Sequence, residues 1–418
     1  MISQQPKATA IHPRYPFARL YITPILLLSL LVIPSLLRAF HQSTTTTQTD
    51  QGSSSATLPQ KKPIKPGTAQ TSSALSSGLG ASLGSFNIQS FQADLFTGSA
   101  GADIPIVVPP GAAGIAPNIL LSYNSSVVDD MGNDSEEDQA DWTGRGWTLD
   151  TGGFIVRDTK GTTGTNDDTF KLVFGGHTYD LVSIGSGSYR TKDETFMLVK
   201  YDSAGDYWTV KTKDGTTHRF GYTSNSRATG LTFAPNIEVP VTFRYFIDEV
   251  STASGVSVRY SYFKQSSSYN NKAYDQAVYP DTITYAYYSG SLVGNSRTVT
   301  FIRGNRTDWK DVSPDWHTSY HELYRLDAIE VRVGTSLVRR YNFGYDYSID
   351  RDPNHTWQGG AAGDLTLKSV TTLGSDGATA LPAATFIYAG PVLATANNGI
   401  GGSVSFTYEH VTSSPLLY

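Results

Sequence analysis

The chain has 418 residues and no cysteine, and its 37 acidic against 32 basic side chains leave a net charge of −5. The missing thiols exclude disulfides, thiolate metal sites and cysteine nucleophiles, and the mild acidity argues against a nucleic-acid partner. With 25 Tyr, 18 Phe, 39 Gly and only 17% charged residues, the composition predicts strands punctuated by turns and not a disordered chain.

Lys7, Arg14 and Arg19 precede an apolar run from Leu20 to Leu37, interrupted by Pro24 and Pro34, with no acidic residue before position 41. A basic segment followed by such a run reads as an export signal, and its length sits near the minimum of roughly 18 residues for a membrane span. Residues 1–40 are therefore a signal peptide or a membrane anchor. Residues 41–84 are rich in Ser, Thr, Gly and Pro. Such residues bury too little apolar surface to offset the entropy of ordering, which predicts a disordered linker. Lys61, Lys62 and Lys65 read as solvated charges within it.

From Ser85 the period of two takes over. Residues 85–96 and 104–108 alternate, and Pro109-Pro110-Gly111 ends the second of these runs. Asn118 to Tyr123 and Phe154 to Val156 are short strands, with Gly144, Gly146, Gly152 and Gly153 around Trp147. Hairpins follow at Gly175-Gly176, Asp214-Gly215, Ser254-Gly255, Ser289-Gly290 and Gly334-Thr335, and the Asp-Gly pair suits a type I′ turn. Leu365 to Leu373, Ala383 to Tyr388 and Ser403 to Tyr408 are the last strands. Trp316 to Leu326 is the best helical window, with a connecting loop as its alternative. Segments 244–262 and 324–345 repeat one strand–turn–strand unit, which points to a spiralling sheet. The fold class is all-β: antiparallel hairpins over 85–418, after an N-terminal hydrophobic helix and a disordered linker.

Several stretches together carry a family resemblance. GADIPIVVPPGAAGIAPNILLSYNSS, GRGWTLDTGGFIVRD, YWTVKTKDGTTHRFGY, RYFIDEVSTASGVSVRYSY, YPDTITYAYY, LPAATFIYAG and NNGIGGSVSFTYEH resemble the SpvB-type N-terminal region of Tc toxin B components and Rhs (YD-repeat) proteins. The resemblance implies β-hairpins spiralling into part of an Rhs-like β-shell around a toxic or effector polypeptide. Its partners would be a downstream Rhs/YD-repeat region or a partner toxin subunit, and an encapsulated effector. The chain carries no YD-repeat array, no aspartyl self-cleavage core and no Glu-x-Glu motif of an ADP-ribosyltransferase. The resemblance therefore implies a shell or scaffold segment with no catalysis of its own, truncated at Tyr418, a piece of a longer chain or completed by a second chain, while the N-terminal run is what places it outside the cytosol, secreted or at the cell surface.

Candidate chemistry is sparse. The acidic insert Asp129, Asp130, Asn133, Asp134, Glu136, Glu137, Asp138 and Asp141 could offer oxygen ligands to Ca²⁺, but it lacks the spacing and bidentate Glu of an EF-hand, so a solvated loop is expected. The same holds for Asp346, Asp350 and Asp352 beside His355. His317 and His321 stand four apart, yet Glu322 follows the second His, so the zinc-protease pattern is not encoded; His177 and His218 are isolated. Trp142, Trp147, Trp208, Trp309, Trp316 and Trp357 read mostly as core, with Trp309, Trp316 and Trp357 as possible sugar platforms in a glycan-binding adhesin. Asn124, Asn133, Asn305 and Asn354 head glycosylation sequons. No catalytic, metal or cofactor-binding residue is assigned, no cofactor is expected, and membrane contact is assigned only to the N-terminal segment. Fractionation of the native host is expected to recover the protein outside the cytosol, and recovery mainly in the cytosol with Met1 attached would remove the export reading.

Overall fold

The computed structural model describes residues 91–93, 99–128, 139–160, 162, 164–234, 237–309, 321–349, 361 and 363–408. The apolar run and linker, most of the acidic insert, and Trp316, His317, Asp350, Asp352, Asn354, His355 and Trp357 lie outside these residues. Among the described residues no helix is long and apolar enough to cross a membrane.

The first sheet is built from β1 (Gln92–Ala93), β2 (Ala100–Pro105), β3 (Leu120–Asn124) and β4 (Trp147–Asp150) in sequential antiparallel order. Ala100, Ala102 and Ile104 alternate inward along β2, and Leu121 and Tyr123 do so along β3. The register runs to Pro105 opposite Leu120, and Ile106 N still donates to Ile119 O at 3.0 Å just beyond it. Gly146 turns the chain into β4 at φ +79, where a Cβ would stand 2.6 Å from the Tyr123 ring.

The next strands close into a barrel. These are β5 (Phe154–Asp158), β6 (Thr169–Phe174), β7 (His177–Gly185), β8 (Ser188–Thr191), β9 (Leu198–Asp202), β10 (Tyr207–Lys211) and β11 (Thr217–Phe220). β12 (Arg227–Ala234) and β13 (Ile237–Ser251) follow. β5 to β11 pair in sequence, β11 pairs with β13, and β13 pairs back to β5 with Ile155 opposite Tyr245, so eight strands form the ring. An eight-stranded barrel is narrow enough for side chains to fill, and aromatic rings fill this one. Trp208 is fully buried at the centre, with ring centroids of Phe170, Tyr189 and Tyr201 at 4.7, 4.8 and 4.7 Å. Arg157 reaches into one end, donating to Asp168 at 3.1 Å and to the Tyr245 hydroxyl at 2.7 Å. Asp206 gathers the hydroxyls of Tyr201, Tyr245 and Thr242 there, at 2.8, 2.7 and 2.7 Å.

A meander continues from β13 through β14 (Val256–Tyr269), β15 (Lys272–Tyr288), β16 (Ser291–Asn305), β17 (Tyr324–Val333) and β18 (Ser336–Ile349). It ends with β19 (Asp364–Leu373), β20 (Ala384–Ala389), β21 (Val392–Asn397) and β22 (Ser403–Ser405). One face of the meander covers the first sheet, and polar tips of aromatic residues stitch the two layers. Tyr341 Oη accepts from Val107 N at 3.0 Å, Tyr285 Oη donates to Pro109 O at 2.8 Å, and Trp147 Nε1 donates to Tyr388 Oη at 2.9 Å. Each buries a large ring while its polar atom stays bonded.

The all-β fold class stands, and the hairpins at all five expected turns are present. Several expected strands extend further than their alternating cores, most of all β15 and β16, while β4, β8, β9, β12 and β21 have no counterpart in the sequence reading. Two local expectations are corrected. Tyr324 to Leu326 is the start of β17 and not helix, because these residues pair with Asn305, Gly304 and Arg303. The Asp214-Gly215 turn is not type I′: only Gly215 has positive φ (+84), and Gly215 N donates to Thr212 O, giving a type I turn with a glycine bulge. The Asp214 carboxylate favours this form by accepting from Thr216 N at 3.1 Å.

Replacing Trp208 by Ala removes the centre of the barrel and is expected to cost about 3–5 kcal/mol in urea denaturation. A loss under about 1 kcal/mol would contradict a solid barrel core.

Candidate functional site

The structure scatters the candidates named from sequence. His177 is exposed at a hairpin end, and His218 is half-buried with its ring 4.6 Å from Phe174. Burial lowers the His218 pKa, with the Asp214 charge opposing. His321 stacks on Trp309 with centroids 5.3 Å apart. Trp142, Trp147 and Trp208 are core residues, and Trp309 is half-buried against His321, so no described tryptophan is an open sugar platform. No group of three or more acidic or His residues suited to a metal occurs among the described residues. Asp141, the described end of the acidic insert, accepts from Thr143 N and Oγ1 at 3.0 and 2.7 Å and serves a turn. Asn124 and Asn305 are exposed strand ends.

The densest group of charges was not singled out from sequence. Arg306 and Asp308, both fully buried, form a two-pronged pair at 2.7 and 2.7 Å. Arg306 also donates to Glu322 Oε2 at 3.2 Å and to Ala140 O at 2.8 Å. Asp308 accepts from Leu365 N at 2.7 Å, and Arg145 pairs with Asp364 at 3.1 Å. Gln139 exchanges two bonds with the Glu322 backbone. The group thus bolts residues 139–145 to the start of β17 and the start of β19. Burial raises the Glu322 pKa well above the carboxylate range, with the like charge of Asp141 adding to it and Arg306 opposing. Burial also raises Asp141. Burial opposes charge on Arg306 as well, but Asp308 and Glu322 outweigh it and keep its pKa above the usual value. The Arg306 and Asp308 side chains are fully buried and mutually satisfied, and the arrangement acts as a bolt between segments.

The larger surface is the outer face of the meander. Along β15 and β16 it presents the cross-strand pairs Thr282–Thr300 and Thr284–Thr298. Glu330 and Arg340 continue it on β17 and β18, then Asn342–Thr371, Ser369–Thr385 and Asn397–Ser403 carry it to β22. Glu330 ties Arg332 at 2.9 Å and Arg340 at 2.5 Å. The alternate residues Ile283, Val299, Ile329, Tyr341, Val370 and Phe386 are buried on the other side. An open cleft of about 470 Å³ on β14 to β17 is lined by Phe263, Thr300, Ile302, Arg303 and Tyr324. Its cation is already engaged: Arg303 donates to Asp281 at 2.8 Å and lies 4.1 Å from the Phe263 ring centroid. Chemically the surface is a wide, mainly polar wall that is rich in hydroxyls and carries scattered apolar residues such as Val338 and Ile387.

No protein-family model matches the chain, and no curated protein does. Solved structures do. The crystal structure of TcdB2-TccC3-TEV matches with a TM-score of 0.50 at 17% identity, over 75% of this chain and 17% of that one. The N-terminal domain of effector protein SpvB from Salmonella typhimurium strain LT2 gives 0.43 at 16% identity, over 65% of this chain and 98% of that one. The Photorhabdus luminescens Tc holotoxin pore gives 0.48 at 17% identity, over 77% and 17%. The likeness to TcdB2-TccC3-TEV shows a shared fold: this chain folds as a segment of that Tc toxin structure does, and it spans about a sixth of that chain's length.

Arg306→Met is expected to cost about 3–5 kcal/mol, because it strands Asp308 and Glu322 without their cation. Glu322→Gln keeps an acceptor for Arg306 and removes a charge that burial disfavours. A carboxyl group with a raised folded pKa binds its proton more tightly in the folded state, so its contribution to stability falls as pH rises from the ordinary carboxylate range through the raised pKa. Denaturation at about pH 5 and about pH 8 is therefore expected to show a smaller stability loss in Glu322→Gln than in the wild type. An equal loss in both would rule out Glu322 as the titrating group.

Proposed function

We propose that this chain is an exported, non-catalytic wall segment of a Tc/Rhs-type shell, which assembles with YD-repeat hairpins or a partner toxin subunit to enclose an effector polypeptide. The observation that carries the reading is the two-faced meander. One face is sealed against the first sheet, and the other is mainly polar from β15 to β22, with Val338 and Ile387 as scattered exposed apolar residues. A wall that encloses another polypeptide without adhering to it needs such a face, because apolar patches would bind unfolded cargo. The shared fold with TcdB2-TccC3-TEV supports the same reading. Among the described residues β22 pairs only with β21, and an edge of unpaired N–H and C=O groups accepts a further strand. The export reading rests on the basic and apolar N-terminal run.

A fragment beginning at Ser85 is expected to self-associate as its concentration rises in light scattering. Adding a chain that carries YD-repeat hairpins is expected to return it to a defined stoichiometric complex. A monomer at every concentration, indifferent to such a chain, would defeat the proposal.

A further inference from the structure

The open cleft on β14 to β17 is used by neither the barrel, the bolt nor the sealed face of the meander. Two β-bulges shape it. Between β14 and β15 the register passes from Ser261–Thr282 to Tyr262–Pro280, which leaves Asp281 as the extra residue. Between β16 and β17 it passes from Ile302–Ala328 to Arg303–Leu326. A bulge bends its strand and re-aims the side chains beside it. Here Asp281 and Arg303 meet in an ion pair at 2.8 Å, with their side chains 41% and 21% exposed. The Phe263 and Tyr324 rings stand at 89° to each other with centroids 5.5 Å apart, so they make a corner. Thr300 and Ile302 complete the lining.

The polar atoms of the cleft both donate and accept, and its charges cancel. Asp281 Oδ1 is taken by Arg303 Nη1. Asp281 Oδ2, Arg303 Nη2, Thr300 Oγ1 and Tyr324 Oη make no hydrogen bond among the described residues. One of these atoms is an acceptor only, one a donor only, and the two hydroxyls do either. At about 470 Å³ the cleft falls in the range of small-ligand pockets, which join apolar walls to a few placed polar groups.

We propose that this cleft binds a neutral saccharide. A sugar ring presents C–H groups to the electron-rich faces of aromatic rings while its hydroxyls donate and accept at its rim. Two neighbouring hydroxyls bond to Asp281 Oδ2 and Arg303 Nη2 at once and leave the ion pair intact. Thr300 Oγ1 and Tyr324 Oη serve hydroxyls further round the ring. The charge balance disfavours ionic ligands. An anion would compete with Asp281 for Arg303, and an ammonium would compete with Arg303 for Asp281, so either would disrupt an existing charge-assisted bond. A wholly apolar ligand would cover four polar atoms without giving them partners, which costs binding energy. The inference is independent of the shell reading and is tested on the chain by itself.

The test is an array of immobilised saccharides probed with the full chain. The array carries glucose, galactose, mannose and N-acetylglucosamine, their β-linked disaccharides, and sialylated and sulfated sugars as anionic comparators. Retention on a neutral sugar is expected, with displacement by the same sugar free in solution. Asp281→Ala is expected to weaken that retention by about tenfold, because it removes the charged acceptor. Tyr324→Phe keeps the ring and removes one hydroxyl, and is expected to weaken it by about threefold. Tryptophan-fluorescence melts of both variants are expected to match the wild type, and Tyr324→Phe decides the question should Asp281→Ala fail to fold. No retention on any neutral sugar overturns the proposal. Equal retention by the wild type and the variants puts the site elsewhere and overturns it too. So does retention confined to the anionic sugars, which would call for a cation free of its carboxylate.

Discussion

A strand has two edges, and β13 divides each of them between two partners. Along one edge Ile247 to Ser251 meet β11 and Ile237 to Tyr245 meet β12. Along the other, Phe246, Tyr245 and Arg244 meet β5, and Glu249 to Ser251 meet β14. Its backbone groups therefore close the barrel and begin the meander at once. This explains why β13 is long and why its core residues are large: Tyr245 and Ile247, both buried, pack within the barrel it completes. Gly153 is required at the crossing point into β5. Its φ is +97, and a Cβ there would stand 2.3 Å from Val173 O, so any other residue would force β5 and β6 apart.

The rest of the molecule is arranged to hold that junction. The first sheet hydrogen-bonds to β15, β18, β20 and β21 through tyrosine hydroxyls, which position the layers by direction and not only by area. The Arg306 bolt fixes segments that are remote in sequence, 139–145, 306–308, 322 and 364–365. A buried ion group is weak evidence of net stability, since hydrophobic replacements often do as well. Its geometry instead specifies which segments meet: a carboxylate that accepts from both Arg306 and Leu365 N tolerates one arrangement.

The local pieces were legible in the sequence and their closure was not. Hairpins at Gly175-Gly176, Ser254-Gly255 and Gly334-Thr335 follow from turn chemistry between alternating runs, and these glycines carry positive φ. The resemblance to Tc toxin B components is borne out in the shared fold. The barrel escaped notice because it depends on Ile155 meeting Tyr245, about 90 residues away, and no local pattern encodes that. Short β8 and β9 lack a long alternating run, and one-residue bulges opposite Ser257, Ser261 and Gln265 break the period in β15. The bolt was hidden for a different reason. Arg306, Asp308, Glu322 and Asp364 each look like solvated charges, and only the Arg-x-Asp spacing at 306–308 hints at a local pair. The histidine and tryptophan candidates were legible as residue types, but their separation is a property of the fold.

The dual pairing of β13 also bears on the order in which the chain acquires structure. Emerging from its N-terminus, the chain presents β5 to β11 as a curled meander with both end strands unpaired, and they stay so until β13 is available. Closing a loop of about 90 residues costs entropy before any contact rewards it, and pairings this distant in sequence slow folding. During synthesis the aromatic lining around Trp208 is therefore exposed for as long as it takes to deliver the stretch from Phe220 to Ser251. The interval before β13 arrives is when a chaperone has an open seam to hold, and when two chains can exchange their thirteenth strands.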